Sequence, residues 1–204
     1  MNDLYEFDKG FNKKIIGVDE AGRGPLAGPV VAVAVVINDY VEEFQEINDS
    51  KKLSEKKREK LFDLILTNCS VGVGISNEKE IDEINILNAT FLSMRRALED
   101  LEVELENDLD LFKVLVDGNH LIREYEKDQE CIIKGDGKSL AIASASIIAK
   151  VTRDRIMLEY DKLYPDYSFA KHKGYGTKEH REAILKHGYC NGHRQSFLKK
   201  ILMK

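Results

Sequence analysis

The chain has 204 residues, of which 43% are hydrophobic and 33% charged, a composition that supports a buried core and excludes a disordered or collagen-like chain. Its longest nearly apolar stretch, residues 140–149, is far shorter than the roughly 20 residues of a membrane-spanning helix, and the acidic N-terminus does not resemble a signal peptide. Three widely spaced cysteines without a C-x-x-C motif favour a reducing cytoplasm. We therefore expect a single cytoplasmic domain over residues 1–204.

The net charge of −5 is unevenly distributed along the chain. Residues 1–133 carry 16 Lys and Arg against 29 Asp and Glu, whereas residues 134–204 carry 15 against 7, together with four of the five histidines. A basic segment on an acidic protein is typical of a surface that binds a polyanion such as a nucleic acid. The alternative is that the two excesses even out once the chain is folded.

Apolar runs and amphipathic stretches predict strands and helices that alternate along most of the chain. In chain order they are strands at 15–18 and 28–37, a helix from an N-capping Ser54 to about 66, a strand at 71–75, a helix at about 80–102, strands at 112–116 and 131–133, and helices at 140–160 and 178–186. This order predicts an α/β fold with a mixed sheet, antiparallel first and parallel later.

Asp19, Asp117 and Asp136 each follow the end of a strand-like run. Loops diverge beyond strand ends in α/β sheets, so carboxylates that converge there can hold Mg²⁺ or Mn²⁺, and two such ions about 3.5–4 Å apart hydrolyse phosphodiesters. Glu20 joins this group only if the chain leaves the strand at that point, because successive strand residues point to opposite faces. The alternative is that these acids are solvated surface groups and that Asp117 starts a turn.

A glycine-rich loop, Gly-Arg-Gly-Pro-Leu-Ala-Gly, occupies residues 22–28. Neither this loop nor the Gly-Lys-Ser at 137–139 completes a nucleotide-binding motif, because the glycine spacing is wrong in both. Gly22 and Gly24 instead allow a ligand to approach the backbone closely, and Arg23 between them offers a fork for phosphate.

The segment 171–177, Lys-His-Lys-Gly-Tyr-Gly-Thr, sets Tyr175 between two glycines and beside basic residues. Aromatic faces stack on bases or sugars while basic groups hold phosphates, so Tyr175 is a candidate substrate-stacking residue. The alternative is a tyrosine packed within its own loop. Lys51, in a lysine pair ahead of the helix that Ser54 caps, is a weaker phosphate-binding candidate, because lysines at such positions are commonly only solvated.

Together these segments resemble the motifs of the ribonuclease HII family. They occur in the family's order from about residue 15 to 197, nearly the whole chain, and their combination is highly specific. They are VDEAGRGPLAGPV at 18–30, NDSKKLS at 48–54, INILNAT at 84–90, VDGN at 116–119, KGD at 134–136, SASIIAKVTRD at 144–154 and HKGY at 172–175. The lack of an N-terminal extension and the presence of Tyr175 favour this family over the related ribonuclease HIII.

The resemblance implies a ribonuclease H-like fold, with helices flanking a five-stranded mixed sheet and a C-terminal helical part, about residues 160–204, that binds substrate. It implies a metal-dependent endonuclease, using Mn²⁺ or Mg²⁺, that cuts the RNA strand of RNA–DNA hybrids. The same family cuts 5′ of ribonucleotides embedded in duplex DNA during ribonucleotide excision repair, leaving 5′-phosphate and 3′-hydroxyl ends. The implied catalytic and metal-binding acids are Asp19, Glu20, Asp117 and Asp136, the implied junction-reading loop is Gly22, Arg23 and Gly24, and the implied sugar-stacking residue is Tyr175.

Two other functions are open on the residues alone: a nucleic-acid-binding module without catalysis, and a different two-metal nuclease such as a junction resolvase. The glycine loop combined with Tyr175 favours the ribonuclease over both. We expect Asp154, inside a predicted helix, to form a supporting ion pair with a basic neighbour rather than to bind metal. No sliding-clamp motif follows Gln195, and we expect a monomer without an obligate protein partner.

Overall fold

The structure, a computed structural model, describes residues 2–48, 50–105 and 109–202, apart from the side chains of Lys51 and Lys200. Helices and strands alternate along these ranges. In chain order they are α1 (Asp3–Lys9), β1 (Lys14–Ala21), β2 (Val30–Ile37), α2 (Glu55–Asn68), β3 (Cys69–Ser76), α3 (Glu78–Glu104), β4 (Phe112–Asp117), β5 (Gln129–Ile132), α4 (Leu140–Leu163), α5 (Phe169–His172), α6 (Lys178–His187) and α7 (Gln195–Leu202).

The five strands form one mixed sheet in the order β3-β2-β1-β4-β5. β2 is antiparallel to both β1 and β3, whereas β4 is parallel to both β1 and β5. The predicted α/β fold, with an antiparallel and then a parallel part of the sheet, is confirmed. Because β1 and β4 are adjacent and parallel, their C-terminal ends lie at the same edge of the sheet, where ligand sites of such sheets form.

Helices cover both faces of this sheet and bury its apolar side chains. α3 packs on one face, while α2 and α4 pack on the other. α4 crosses β1 so closely that a Cβ atom on Gly17 would lie 2.2 Å from the carbonyl carbon of Ala141. The absence of a side chain at Gly17 therefore brings the backbone of α4 directly onto the central strand, next to the edge where β1 ends.

Two elements differ from those that the sequence predicts. β1 continues through Ala21, because Glu20 and Ala21 still pair with β2, so Asp19 and Glu20 lie inside the strand and the chain does not leave it at Glu20. α3 is broken at Asn85, whose φ of 67° and ψ of 164° are not helical. The Asn85 side-chain oxygen accepts two backbone N–H groups of the next turn, a local bond that apolar periodicity does not report.

The sequence pattern does not predict the first helix, α1, the short helix α5 or the last helix, α7. α1 starts at Asn2, whose side chain accepts the Leu4 N–H at 2.9 Å, and α7 ends the described part of the chain. α5, α6 and α7 pack with the end of α4 around the buried ring of Phe169 and form a helical part beside the sheet. Within the described ranges, no helix has the length and apolarity that crossing a lipid bilayer requires.

Candidate active site

The ends of β1 and β4 place two carboxylates on neighbouring strands. Val18 of β1 pairs with Val116 of β4, so Asp19 and Asp117 are the next residues along the two strands. Beyond β5, the Gly135 N–H donates a hydrogen bond to Asp117 Oδ1 at 2.7 Å. The parallel half of the sheet therefore gathers acids from distant parts of the sequence at one edge.

Asp19 is buried, with 5% of its surface exposed. Its Oδ1 accepts the backbone N–H of Glu20 at 2.7 Å, and its side chain hydrogen-bonds to Ser146 of α4. Burial raises the pKa of Asp19 well above its usual range, and the neighbouring carboxylates of Glu20 and Asp117 raise it further. The fold thus concentrates negative charge around a carboxyl group that is shielded from water.

Glu20 shares a cleft with Asp117 although it belongs to the regular part of β1. Its Oε1 accepts a hydrogen bond from Arg23 Nη1 at 3.2 Å. The cleft has a volume of about 30 Å³ and is lined in addition by side chains of α3 and by residues 118–120. The alternation of side chains along β1 therefore does not remove Glu20 from the acidic edge.

Asp136 lies in a 3₁₀ turn, residues 135–137, that connects β5 to the start of α4. The turn is entered through Lys134 in the left-handed conformation, with a φ of 56°. Asp136 is 8% exposed and directly follows Gly135, the residue that donates to Asp117. The turn thus carries this acid to the same end of the sheet.

The donor chemistry of these four acids suits a hard divalent cation such as Mg²⁺ or Mn²⁺, which binds carboxylate oxygens. A cation among them would relieve the repulsion that raises the pKa of Asp19. Among the described residues, however, no three His, Cys, Asp or Glu side chains already form a metal-binding group. The fit therefore rests on oxygen donors and concentrated negative charge, not on a preformed ligand geometry.

One buried guanidinium organises the glycine loop between β1 and β2. Arg194 has no exposed surface and donates to the carbonyl oxygens of residues 22, 23, 25, 28 and 29 at 2.6–3.2 Å. A guanidinium can do this because it carries five N–H donors in a rigid fork. Burial, and then the nearby Arg153, lower the pKa of Arg194 to about 9, which leaves it charged at neutral pH.

A second buried guanidinium joins the glycine loop to the segment around Tyr175. Arg153 donates to the carbonyl oxygens of Ala27, Pro29 and Lys173, each at 3.0 Å. Gly22 has a φ of +101°, and a Cβ atom there would lie 2.1 Å from Arg153 Nε. Glycine at position 22 is therefore required both by the backbone conformation and by the space that Arg153 fills.

Tyr175 is exposed, with 46% of its surface accessible, and it stands beside the glycine loop. A Cβ atom on Gly24 would lie 3.9 Å from Tyr175 Cε1, and the Leu26 N–H donates to the Gly174 carbonyl at 2.9 Å. The Arg153 guanidinium lies 5.9 Å from the centre of the tyrosine ring. The structure therefore places the exposed residues Arg23, Gly24 and Tyr175 beside one another, whereas Gly22 is buried against Arg153.

The side chain of Lys51 and the whole of Asp49 lie outside the described residues. The neighbouring Ser50 is described, and its Oγ lies 2.8 Å from the Oγ of Ser146. Because Ser146 also hydrogen-bonds to Asp19, the lysine-bearing segment runs close to the acidic edge.

Asp154 forms an ion pair with Lys150, one helical turn earlier, with Nζ–O distances of 2.5 and 2.7 Å. The two arginines beside it in sequence have other partners. Arg153 binds backbone carbonyls, and Arg155 pairs with Glu59 of α2. The structure thus gives Asp154 a basic partner within α4 and places it inside a helix rather than at the end of a strand.

The sequence does not point to the two arginines that hold the glycine loop. Arg194 binds carbonyl groups as far as 172 residues away, and Arg153 binds groups up to 126 residues away. Backbone acceptors leave no side-chain pattern in a sequence, so only the folded chain reveals these bonds. The neighbouring HRQSF segment, residues 193–197, carries no other signal that would have singled out Arg194.

The fold matches solved structures of ribonuclease H-like proteins. A chain in the PCNA:RNase HII complex from Archaeoglobus fulgidus is 25% identical with a TM-score of 0.70, over 89% of this chain and 94% of that one. The ribonuclease H2 of Pyrococcus horikoshii OT3 is 29% identical with a TM-score of 0.67, over 92% and 96% of the two chains. A ribonuclease HIII solved with Mn²⁺ has a TM-score of 0.73 at 17% identity and shows likeness of fold alone. Fold and site therefore define a ribonuclease H-like protein.

The comparison of sequences narrows this class. A family model described as Ribonuclease HII matches residues 16–200. A protein of that name from Fusobacterium nucleatum subsp. nucleatum is 63% identical over 98% of this chain and 93% of its own length. Its counterpart from Endomicrobium trichonymphae is 52% identical over 97% and 93%. The chain belongs to the ribonuclease HII family, and it is a nuclease, an endonuclease of the ribonuclease H type that acts on RNA–DNA hybrids.

Proposed function

We propose that this protein also cuts duplex DNA on the 5′ side of single embedded ribonucleotides, by a two-metal-ion mechanism that leaves 5′-phosphate and 3′-hydroxyl ends. The observation that carries the proposal is the position of the glycine loop, which Arg23 links to the Glu20 carboxylate and which lies beside the exposed Tyr175. Such a loop can contact the one sugar next to the bond that is cut. This activity fits ribonucleotide excision repair in the cytoplasm of the cell.

Asp19, Glu20, Asp117 and Asp136 would hold the divalent ions, Mg²⁺ or Mn²⁺, because they are the clustered oxygen donors of this edge. Two of them, Asp19 and Asp136, are buried, and the other two are half-buried. Bound there, two such ions supply an activated water and a counter-charge for the leaving 3′-oxygen. The proposal requires no protein nucleophile. Glu20 also has a second partner in Arg23, so the same carboxylate links the metal-binding edge to the loop that faces the sugar.

The glycine loop is suited to recognition of a ribose because its shape is fixed from within. Arg194 and Arg153 bind the carbonyl groups of five loop residues and of the following Pro29. Gly24 adds no side chain between this backbone and a ligand. The 2′-hydroxyl, which separates ribose from deoxyribose, can therefore approach the backbone closely.

Tyr175 would stack on the deoxyribose next to the ribonucleotide, beside the glycine loop. Lys51 and the basic C-terminal helical part, about residues 160–204, would hold backbone phosphates, and such contacts supply most of the affinity for a duplex. The protein would act as a monomer, since the site needs no residue from another chain. We propose no obligate protein partner.

A cleavage assay with three duplexes tests the proposal. One duplex carries a single ribonucleotide, one is its all-DNA twin, and one is a long RNA–DNA hybrid, each with Mg²⁺, with Mn²⁺ and with a chelator. We expect metal-dependent cleavage of the first and third, with the cut 5′ of the ribonucleotide and a 3′-hydroxyl on the upstream fragment. Cleavage of the all-DNA twin would favour a resolvase-like nuclease, and salt-sensitive binding without cleavage would favour a binding module.

A further inference from the structure

Three of the histidines that make the last third of the chain look basic are buried around the backbone of Tyr175. His172, His180 and His193 are 8%, 0% and 3% exposed. The rings of His172 and His180 are stacked, with centroids 4.4 Å apart, and the ring of His193 lies 5.2 Å from that of His180. These residues therefore do not form part of a basic surface, and they call for a different role.

The hydrogen-bond partners of His180 and His193 determine which nitrogen of each ring carries the proton. His180 Nδ1 lies 2.9 Å from the Tyr175 carbonyl oxygen, which can only accept, so this nitrogen carries a proton. In a neutral ring His180 Nε2 is then an acceptor, and it faces His193 Nε2 at 3.0 Å, which must donate. His193 Nδ1 is left as an acceptor, and it receives the Cys190 N–H at 3.1 Å. The chain runs from Cys190 through His193 and His180 to Tyr175.

Protonation of either imidazole would break this chain of hydrogen bonds. A charged His180 would turn Nε2 into a donor against the His193 donor, and a charged His193 would set a proton against the Cys190 N–H. Burial lowers the pKa of His180 and of His193 to about 4, in agreement with this geometry. The titratable and charged groups that face the three rings, in addition to the rings themselves, include Lys171 of α5, Glu179 of α6, Asp161 of α4, the Cys190 thiol and the Tyr167 ring, whose centroid lies 4.8 Å from that of His193.

His172 holds the other side of the same loop. Its Nε2 lies 2.8 Å from the Tyr167 carbonyl, so that nitrogen carries the proton, and its Nδ1 accepts the Gly174 N–H at 3.2 Å. A Cβ atom on Gly174, whose φ is +82°, would lie 2.4 Å from the Ala27 carbonyl oxygen of the glycine loop. The backbone of residues 174 and 175 is therefore held by imidazoles below and by the glycine loop beside it.

We propose that His180 and His193 are positioning residues, which hold Tyr175 against the substrate through a chain of hydrogen bonds that exists only while both imidazoles are neutral. This inference rests on the proposed role of Tyr175 in reading a single embedded ribonucleotide. The histidines themselves do not touch the substrate. They act on the Tyr175 carbonyl, which the Thr177 N–H also binds at 2.8 Å, and so fix the direction in which the exposed ring leaves the loop.

The first test compares two replacements of His180 that differ in one donor. His180→Asn keeps an N–H near the position of Nδ1, whereas His180→Leu has a similar bulk and no donor. The quantity measured is the ratio of kcat/KM on the single-ribonucleotide duplex to kcat/KM on a long hybrid. We expect His180→Leu to lower this ratio about 3- to 10-fold, the range of one hydrogen bond, and His180→Asn to restore it within about twofold. The exposed His187 on the same helix gives the control, His187→Asn, with an unchanged ratio.

The second test asks whether His180 acts through Tyr175. In a Tyr175→Ala background, His180→Leu should lower the ratio no further. Two results would overturn the proposal: a further fall of the ratio by the full factor when His180→Leu is added to Tyr175→Ala, or an equal fall of the ratio in His180→Asn and His180→Leu. In either case the His180 ring would act by packing or by a route that does not involve Tyr175.

A third measurement does not depend on activity. The ¹⁵N resonances of the imidazoles of the intact protein should show a proton on His180 Nδ1 and on His193 Nε2, unchanged from pH 8 to pH 5.5. The opposite tautomers, or an imidazolium at either residue within this range, would overturn the hydrogen-bond chain even if cleavage behaves as proposed. If the chain of hydrogen bonds is observed in a wild-type protein that does not cut at single ribonucleotides, the proposed function is wrong and so is the positioning role, but the assignment of the two histidine tautomers remains valid.

Discussion

The acidic edge of the sheet and the glycine loop beside it both contain buried charged groups, but those of the loop are each compensated by hydrogen bonds to several backbone carbonyl groups. At the edge, burial raises the pKa of Asp19, and repulsion from the neighbouring carboxylates of Glu20 and Asp117 raises it further. In the loop, Arg153 and Arg194 are also buried close together, but each donates to several backbone carbonyl groups. One region carries charge that a ligand can neutralise, and the other carries charge that the protein has already satisfied.

This difference separates the two tasks of a selective nuclease. Like charges held together are costly in the free protein and favourable once a cation binds, so the acidic edge is suited to binding metal and to chemistry. Guanidinium groups with satisfied donors make a loop rigid, so the glycine loop is suited to recognition of shape. Mutations in the two regions should therefore affect activity and stability in different proportions.

The largest expected effect is on catalysis at the acidic edge. Asp19→Asn, Asp117→Asn and Asp136→Asn each remove a charged oxygen ligand while nearly keeping the shape, so cleavage should fall by orders of magnitude. Binding of the hybrid should survive, since it depends largely on phosphate contacts. The melting temperature of Asp19→Asn should be unchanged or higher, because the substitution removes repulsion. Cleavage assays at saturating Mg²⁺ and thermal unfolding measure both quantities.

A suitable control for these variants is Asp63→Asn. It changes an exposed acid of α2, a helix that carries none of the four site acids. It should cut at the wild-type rate. Cleavage near that rate by the three active-site variants would contradict the role of the carboxylates in metal binding.

The next largest effect is on stability, in the glycine loop. Arg194→Lys replaces a five-donor fork by a single ammonium group, which leaves several buried carbonyl groups unpaired. We expect the free energy of unfolding to fall by about 3–5 kcal/mol, with reduced kcat/KM on every substrate. Denaturant unfolding measures the first quantity. Arg155→Lys, at a half-exposed arginine of the same α4 helix as Arg153, should cost less than about 0.5 kcal/mol, and equal losses in the two variants would remove the distinction between the regions.

A smaller effect concerns pH. The folded pKa of His180 is about 4, below the ordinary value of 6.5, so its contribution to stability is present above pH 6.5 and is lost as the pH falls towards 4. Wild type should therefore lose about 2 kcal/mol relative to His180→Asn between pH 7 and pH 4.5. Asp8 has the opposite trend, because burial raises its pKa to about 6, but it is common to both proteins and cancels in the difference. Denaturant titrations across this range measure it, and parallel pH profiles would contradict it.

The exposed ring beside the loop should matter for selectivity more than for stability. Tyr175→Ala should lower kcat/KM at a single embedded ribonucleotide by about tenfold, because stacking on an aromatic ring is worth roughly 1–3 kcal/mol. Tyr175→Phe should keep most of the activity, since the ring and not the hydroxyl stacks. Long hybrids should be less affected, and an unchanged ratio of the two substrates in Tyr175→Ala would show that Tyr175 has no part in reading the junction.

The smallest expected effect distinguishes Asp154 from the catalytic acids. Asp154→Asn weakens the ion pair with Lys150, whose side chain is 28% exposed, so a loss of about 1 kcal/mol in stability is expected with turnover retained. The kcat on a long hybrid and the melting temperature give both values. Lost turnover at an unchanged melting temperature would instead place Asp154 among the catalytic acids.

The sequence predicts the regular part of this molecule well for a physical reason. The Val-rich run of β2, the cap of α2 at Ser54 and the acids near the ends of β1 and β4 are local signals, and local signals survive in one dimension. The amino-acid sequence alone is therefore enough to propose Asp19, Asp117 and Asp136 as neighbours.

The residues that hold the site in shape leave no such local signal in the sequence. Arg194 binds backbone carbonyl groups of a loop at the other end of the chain, and a backbone acceptor is the same at every residue. The break at Asn85 is equally hidden, because it depends on one side-chain oxygen turning back to its own backbone. Histidines at 172, 180 and 193 look like basic residues in the sequence, and only their burial shows that they are neutral hydrogen-bonding groups.

The bonds of Arg194 also set an order of events during synthesis. Gly22 leaves the ribosome long before Arg194, 172 residues later, so the loop carbonyl groups that Arg194 binds do not have this donor until residue 194 has been made. Contacts of such separation form late in folding, since they close a long segment of chain. A nascent chain can therefore assemble the strands that carry Asp19 and Asp117 while its selective surface is still incomplete.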